Sequence, residues 1–200
     1  MLAIVDYGVG NLFSLRSSFG CIGAQATVTS DAKEILRADK VVLPGVGAFG
    51  DAVRKLRESG LFDVVKSVAE EGKPLLGICL GMQLLFEKSY EFGTFDGLGL
   101  LKGNVTYLGD VVDLKIPHIG WNALDIKKES QLLRYVKNGD HVYFVHSYHA
   151  TECGDSVVAT TEYGYPVTAC VQKDNVFGCQ FHPEKSGEVG LNILRAFCEV

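Results

Sequence analysis

Several features that mark large classes of protein are missing from this 200-residue sequence. No apolar run is long enough to cross a bilayer, since the opening Leu2-Ala3-Ile4-Val5 halts at Asp6. That opening is also too short for the apolar region of a secretory signal, so the expected location is the cytoplasm, with the six cysteines as reduced thiols. No two cysteines form a C-x-x-C pair, which removes the usual structural zinc site. An excess of basic charge is lacking too. The formal net charge is −5, which argues against nucleic acid or an anionic membrane as the main partner. There is no internal repeat, low-complexity tract or long linker, so the expectation is one domain over residues 1–200. A hydrophobic content of 47% suffices for one sizeable core.

What is present begins as an alternation of strands and helices. Leu2 to Val5, Ala26 to Thr29, Lys40 to Leu43 and Pro74 to Ile78 read as short buried strands. Between them, Asn11 to Cys21 reads as a helix with Asn11 as N-cap and Leu12, Leu15 and Phe19 on one face. Gly50 to Ser59 reads as a second helix. Leu61, Val64, Val65, Val68 and Ala69 then follow amphipathic helical spacing up to Gly72. This alternation predicts an α/β fold with a mostly parallel sheet flanked by helices. The second half reads differently, as short strands at Leu100–Tyr107, Trp121–Ile126, His141–Val145, Val157–Thr161, Thr168–Val171 and Val176–Phe181. They predict an antiparallel extension of the sheet, closed by a helix from near Glu188 through Asn192 to Cys198.

Gly77-Ile78-Cys79-Leu80-Gly81 stands between the fourth strand and the helix-forming stretch Met82 to Glu87. A cysteine at a sharp strand-to-helix turn, with glycines two before and two after, has the form of a nucleophile elbow. The N–H groups and dipole of a following helix would favour the thiolate. A buried cysteine in a glycine-rich turn fits this pentapeptide equally well.

A cysteine nucleophile needs a base, and the base needs an orienting group. In Gln180-Phe181-His182-Pro183-Glu184, the proline forces His182 into an extended conformation, which puts His182 and Glu184 on the same side of the chain. Alone, a His-x-Glu is often a solvated charge pair. With the elbow, it completes a Cys–His–Glu triad. Oxyanion donors would come from the Leu80 N–H and from Pro44-Gly45-Val46-Gly47, at the end of the neighbouring strand. Gly45-x-Gly47-x-x-Gly50 is also a literal dinucleotide fingerprint. Pro44 interrupts the strand's entry, however, and the next strand ends in Cys79 where that reading needs a ribose-binding acid. His146, His149 and Cys153 could be mistaken for metal ligands, but on one strand an odd separation sends the two histidines to opposite faces. Cys21, Cys153, Cys170, Cys179 and Cys198 read as small buried or incidental thiols, and the lone Trp121 as a core residue.

The elbow with Met82-Gln83 and the Phe181-His182-Pro183-Glu184 motif resemble the class I (triad) glutamine amidotransferases. Further stretches narrow the likeness to the glutaminase subunits of imidazole glycerol phosphate synthase. They are Asp6-Tyr7-Gly8-Val9-Gly10-Asn11-Leu12, Pro44 to Gly50, Pro117-His118-Ile119-Gly120-Trp121-Asn122, Phe144 to Tyr148 and His182 to Ser186. The resemblance implies glutamine hydrolysis through a thioester on Cys79, with His182 moving protons and Glu184 holding its ring. It implies oxyanion donors at Leu80 on the elbow and at Val46 and Gly47 on the Gly45-Val46-Gly47 strand, and that strand needs a peptide flip to become competent. It places glutamine against Gly45, Gln83, Glu87 and the backbones of Ser147 and Tyr148, with Gln83 and Glu87 on the helix after the elbow. It implies no cofactor and no metal. A 200-residue glutaminase domain leaves nothing to close an imidazole ring. A (β/α)8 barrel alone needs about 250 residues, and the resemblance supplies such a barrel as a separate cyclase subunit. That partner receives ammonia through a channel and forms imidazole glycerol phosphate and an aminoimidazole carboxamide ribotide, in histidine biosynthesis. Asn11, Trp121, Tyr143 and Lys185 are placed by the same resemblance on the docking face. Amidotransferases of the anthranilate or aminodeoxychorismate type usually carry Gly-His-Gln where this chain has Gly81-Met82-Gln83. A catalytically silent module on the same fold would have a broken triad, and here all three residues are present.

Overall fold

The computed structural model describes residues 1–200. In chain order the first half comprises β1 (Leu2–Val5), α1 (Leu12–Cys21), β2 (Ala26–Thr29), α2 (Ala32–Arg37), β3 (Lys40–Leu43), α3 (Phe49–Glu58), α4 (Leu61–Glu70), β4 (Leu75–Ile78) and α5 (Leu80–Gln83). The second half comprises β5 (Lys88–Ser89), β6 (Phe95–Asp96), β7 (Asn104–Tyr107), β8 (His118–Ile126), β9 (His141–His146), β10 (Tyr148–Thr151), β11 (Val157–Glu162), β12 (Pro166–Lys173), β13 (Val176–Cys179) and α6 (Gly187–Cys198).

One nine-stranded sheet runs in the order β2-β1-β3-β4-β13-β12-β11-β8-β9. The strands from β2 to β13 in that order are parallel, and those from β13 to β9 are antiparallel. The α/β class and the antiparallel extension are as the sequence predicts. Three features differ. Val176–Cys179 belongs to the parallel half, paired with β4, because its apolar residues are buried on both faces of the sheet. A separate small sheet, β10-β7-β5-β6, was not foreseen, since its two-residue members carry no readable alternation. Helix α2 was also missed: six residues are too few for a periodic pattern, although Asp31 caps it by accepting from Lys33 and Glu34 N–H groups.

Alternation along the parallel strands divides the core. Ala3 and Val5 face the side covered by α2, α3 and α4, with Ile35, Phe49, Leu56 and Val65. Leu2 and Ile4 face α1 and α6, with Leu15, Phe19, Leu194 and Phe197. Asn11 caps α1 by accepting from the Ser14 N–H, as expected. With helices on both faces, the centre of the sheet is inaccessible, and chemistry is confined to the C-terminal ends of the parallel strands. There β4 meets β13, and Cys79 follows the one while Gln180 to Glu184 follow the other.

Candidate active site

Cys79 sits at φ 53, ψ −112, a left-handed conformation that a non-glycine residue adopts only where its surroundings enforce it. The enforcement is steric. A Cβ on Gly77 would lie 2.6 Å from the Gly81 carbonyl oxygen, and one on Gly81 would lie 1.9 Å from the Leu43 carbonyl oxygen. A Cβ on Gly178 would strike Met82 at 2.7 Å, and one on Gly45 the Gly81 nitrogen at 2.7 Å. The glycines therefore interlock the elbow with β3 and β13. The Cys79 N–H also donates to the Cys179 carbonyl at 2.8 Å. The buried-thiol alternative explains none of this strain.

The helix after the elbow is shorter than the sequence suggests. It spans only Leu80–Gln83, after which the chain turns, and the carbonyls of Leu84, Leu85 and Phe86 accept from Leu98, Leu100 and Gly99. One turn has little macrodipole to set against sulfur. The early turn also displaces Glu87. It is exposed and its carboxylate accepts from the Gly103 N–H at 3.0 Å, away from the cleft. Glu91 takes the cleft position expected of Glu87. Its Oε2 accepts from the Phe49 N–H at 2.7 Å, and burial raises its pKa, partly offset by that bond. Sequence periodicity gave no sign of Glu91, which lies on an irregular stretch.

The cleft encloses roughly 340 Å³ and is lined by Cys79, Leu80, Gln83, Glu91, Val46, Gly47, Ser147, Tyr148, His146 and His182 among others. His182 is extended at φ −100, ψ 99, and its Nδ1 lies 2.8 Å from Glu184 Oε1 with both side chains buried. Burial works to lower the His182 pKa, but hydrogen bonding and charge from Cys79 and Glu184 outweigh it and push the value up to about 10. The arrangement favours an imidazolium beside sulfur, the resting form of an activated cysteine.

Gly45 does not line the cleft; it is one of the interlocking glycines, packed under Leu80. Val46 and Gly47 do line it, on the loop that follows β3. The Tyr7 hydroxyl donates to the Pro44 carbonyl at 2.8 Å, and Glu91 holds the Phe49 N–H. Between these anchors, neither the Val46 nor the Gly47 N–H donates to any protein acceptor. Gly47 has φ +91 with open space around it. Ser147 and Tyr148 line the cleft, but their carbonyls are engaged: Ser147 O by the Leu108 N–H, Tyr148 O by Gln83 Nε2 and His146 Nδ1, each at 2.9 Å. The strand breaks at Ser147, so His146 reaches His118 at 3.0 Å while His149 is buried elsewhere beside Tyr165. Cys170 and Cys179 are fully buried, Cys153 is buried, and Cys21 is exposed. No group of His, Cys, Asp or Glu is placed to hold a metal ion.

Trp121 is 54% exposed, so the core reading fails. It pairs across strands with Tyr143, the rings 6.0 Å apart, and Lys185 Nζ lies 5.8 Å from the Tyr143 ring centroid. Tyr143 is tied to His182 twice. Its carbonyl accepts from the His182 N–H at 3.0 Å, and its N–H donates to Ser186 Oγ, which donates to His182 O. Asn11 lies against a small cavity beside Glu184.

The family Glutamine amidotransferase class-I matches residues 3–199. A crystal structure described as a glutamine amidotransferase superposes with a TM-score of 0.76 at 20% identity, over 98% of this chain and 97% of that one. This chain belongs to the class I glutamine amidotransferases. Within the class it falls among the HisH subunits of imidazole glycerol phosphate synthase. It is 54% identical to that subunit from Caldanaerobacter subterraneus subsp. tengcongensis, over 100% of this chain and 98% of the relative. The Wolinella succinogenes subunit is 48% identical, with 100% of both chains covered.

Proposed function

We propose that this chain, a single amidotransferase domain, is the glutaminase subunit of an imidazole glycerol phosphate synthase in histidine biosynthesis, with Cys79, His182 and Glu184 as its triad. The single observation that carries the reading is the convergence in one cleft of a strained, buried Cys79 with His182, whose ring is paired behind it with Glu184.

Cys79 Sγ attacks the side-chain carboxamide carbon of glutamine. The oxyanion that forms lies toward the Leu80 N–H and the Val46–Gly47 peptide. The His182 imidazolium then gives its proton to the departing nitrogen, and ammonia leaves. His182 next takes a proton from water, which attacks the thioester; glutamate departs and Cys79 regains its starting state. Glu184 keeps the ring oriented and stabilises its charged form. Gln83 and Glu91 bound the cleft where the rest of glutamine would sit, and the Ser147 N–H, which has no protein acceptor, is available to it.

Ammonia is passed to a cyclase subunit with a (β/α)8 barrel, which docks on the face carrying Trp121, Tyr143, Lys185 and Asn11. An exposed tryptophan against a half-buried tyrosine, with a cation near the tyrosine ring, is chemistry typical of an interface centre. No helix here is long and apolar enough to cross a membrane; the cytoplasm is the location we propose for the complex. A glutaminase assay on Cys79→Ala tests the triad. Glutamate release should fall to background with an unchanged circular dichroism spectrum, and retained release in that variant would end the reading.

A further inference from the structure

We propose that Gln180 is a further catalytic residue, a neutral donor that holds and stabilises the Cys79 thiolate. The proposal deepens the triad reading and rests on it. Gln180 is completely buried, and its Nε2 lies 3.8 Å from Cys79 Sγ, the reacting atom.

The orientation of this amide follows from its neighbours. The Tyr148 carbonyl can only accept a hydrogen bond, so the Gln83 atom 2.9 Å from it must be the amide nitrogen. That same nitrogen lies 3.0 Å from the Gln180 side chain, which must therefore present its oxygen there. Gln180 Nε2 is then the atom left to face sulfur, as a donor. The Tyr148 carbonyl is itself fixed by a second donor, His146 Nδ1, at 2.9 Å. Backbone bonds fix the other end: the Gln180 N–H donates to Ala169 O at 2.9 Å, one residue past the Cys179 carbonyl that holds the Cys79 N–H.

A side chain at this point must accept from Gln83 and donate to sulfur at once, and an amide does both. A donor aimed at an ionisable atom favours its charged form. Since α5 is a single turn, Gln180 supplies sulfur with a donor in addition to His182.

The test is the pH dependence of Cys79 alkylation by iodoacetamide in the full chain, read by mass spectrometry on the peptide containing Cys79. Gln180→Glu keeps an acceptor for Gln83 and replaces the donor facing sulfur, while Gln180→Met removes both functions. In folded variants the alkylation midpoint should rise by about one pH unit or more, which is about a tenfold loss of thiolate at fixed pH below it. A wild-type midpoint in either folded variant overturns the proposal. Should neither fold, the Gln180 side-chain amide resonance of the wild-type chain is followed by NMR against pH. It should titrate with the alkylation midpoint, and an invariant resonance overturns the proposal. Neither readout requires glutamine turnover. Absence of turnover in the wild-type chain would defeat the glutaminase reading and leave the alkylation result standing.

Discussion

The two backbone segments that flank the cleft are built in opposite ways. The elbow around Cys79 is packed on every side, with Gly77, Gly81 and Gly178 at distances that leave no room for a methyl group. The loop from Pro44 to Gly47 is fixed at its ends by Tyr7 and Glu91. Between them Val46 is 43% exposed, Gly47 is surrounded by open space, and their N–H groups have no protein acceptor. Tight packing holds a strained nucleophile in place. Sparse packing lets a peptide unit turn over at small cost. In the proposed mechanism the nucleophile is thus ready in the free chain, whereas the proposed oxyanion donors are free to respond to what binds nearby.

The sharpest way to break this comparison is to disturb the packed side. Gly81→Ala sets a methyl against the Leu43 backbone oxygen, which cannot rotate away. A loss of more than ~3 kcal/mol in urea unfolding is expected, with glutamine hydrolysis at background. Glu184→Gln should lower kcat for glutamine by about 10²- to 10⁴-fold in steady-state assays. It should also change an alkaline transition. The folded pKa of His182 lies above its unfolded value, so the stability it contributes is complete below about pH 6.5 and is lost as pH rises through about 10. Removing the Glu184 charge lowers the folded value, and urea titrations at several pH values should show that loss beginning at lower pH. Turning to the responsive side, Trp121→Ala should weaken cyclase binding by about 2 kcal/mol, roughly thirtyfold in Kd by calorimetry. The smallest effect belongs to the loop itself. Gly47→Ala meets no neighbour but must hold φ +91, costing about 1 kcal/mol of stability in urea unfolding.

The parallel half of the fold was legible because each buried strand ends at a recognisable turn and each long helix repeats its apolar face, as at Leu61 to Ala69. The pairing of His182 with Glu184 was legible because Pro183 constrains the local backbone. What could not be read depended on distant contacts. The chain after Gln83 looks helical, but its carbonyls are taken by the Leu98–Leu100 segment, and this moves Glu87 out and Glu91 in. Gly45 looked like a ligand-facing glycine, and only the position of Gly81 shows it to be a packing one. Gln180 stood within the quoted motif without a role. Its chemistry depends on Gln83 and Tyr148, which are remote in sequence and become neighbours only where the two halves of the molecule meet.

The contrast between a fixed nucleophile and a free oxyanion loop is tested most directly by glutamate release from the same chain, alone and saturated with its ligand-bound cyclase. Cys79 alkylation is measured in parallel. The account predicts slow release by the isolated chain, an increase of about a hundredfold or more on complex formation as the oxyanion donors engage, and the same alkylation midpoint in both states. Equal release with and without the partner would contradict it.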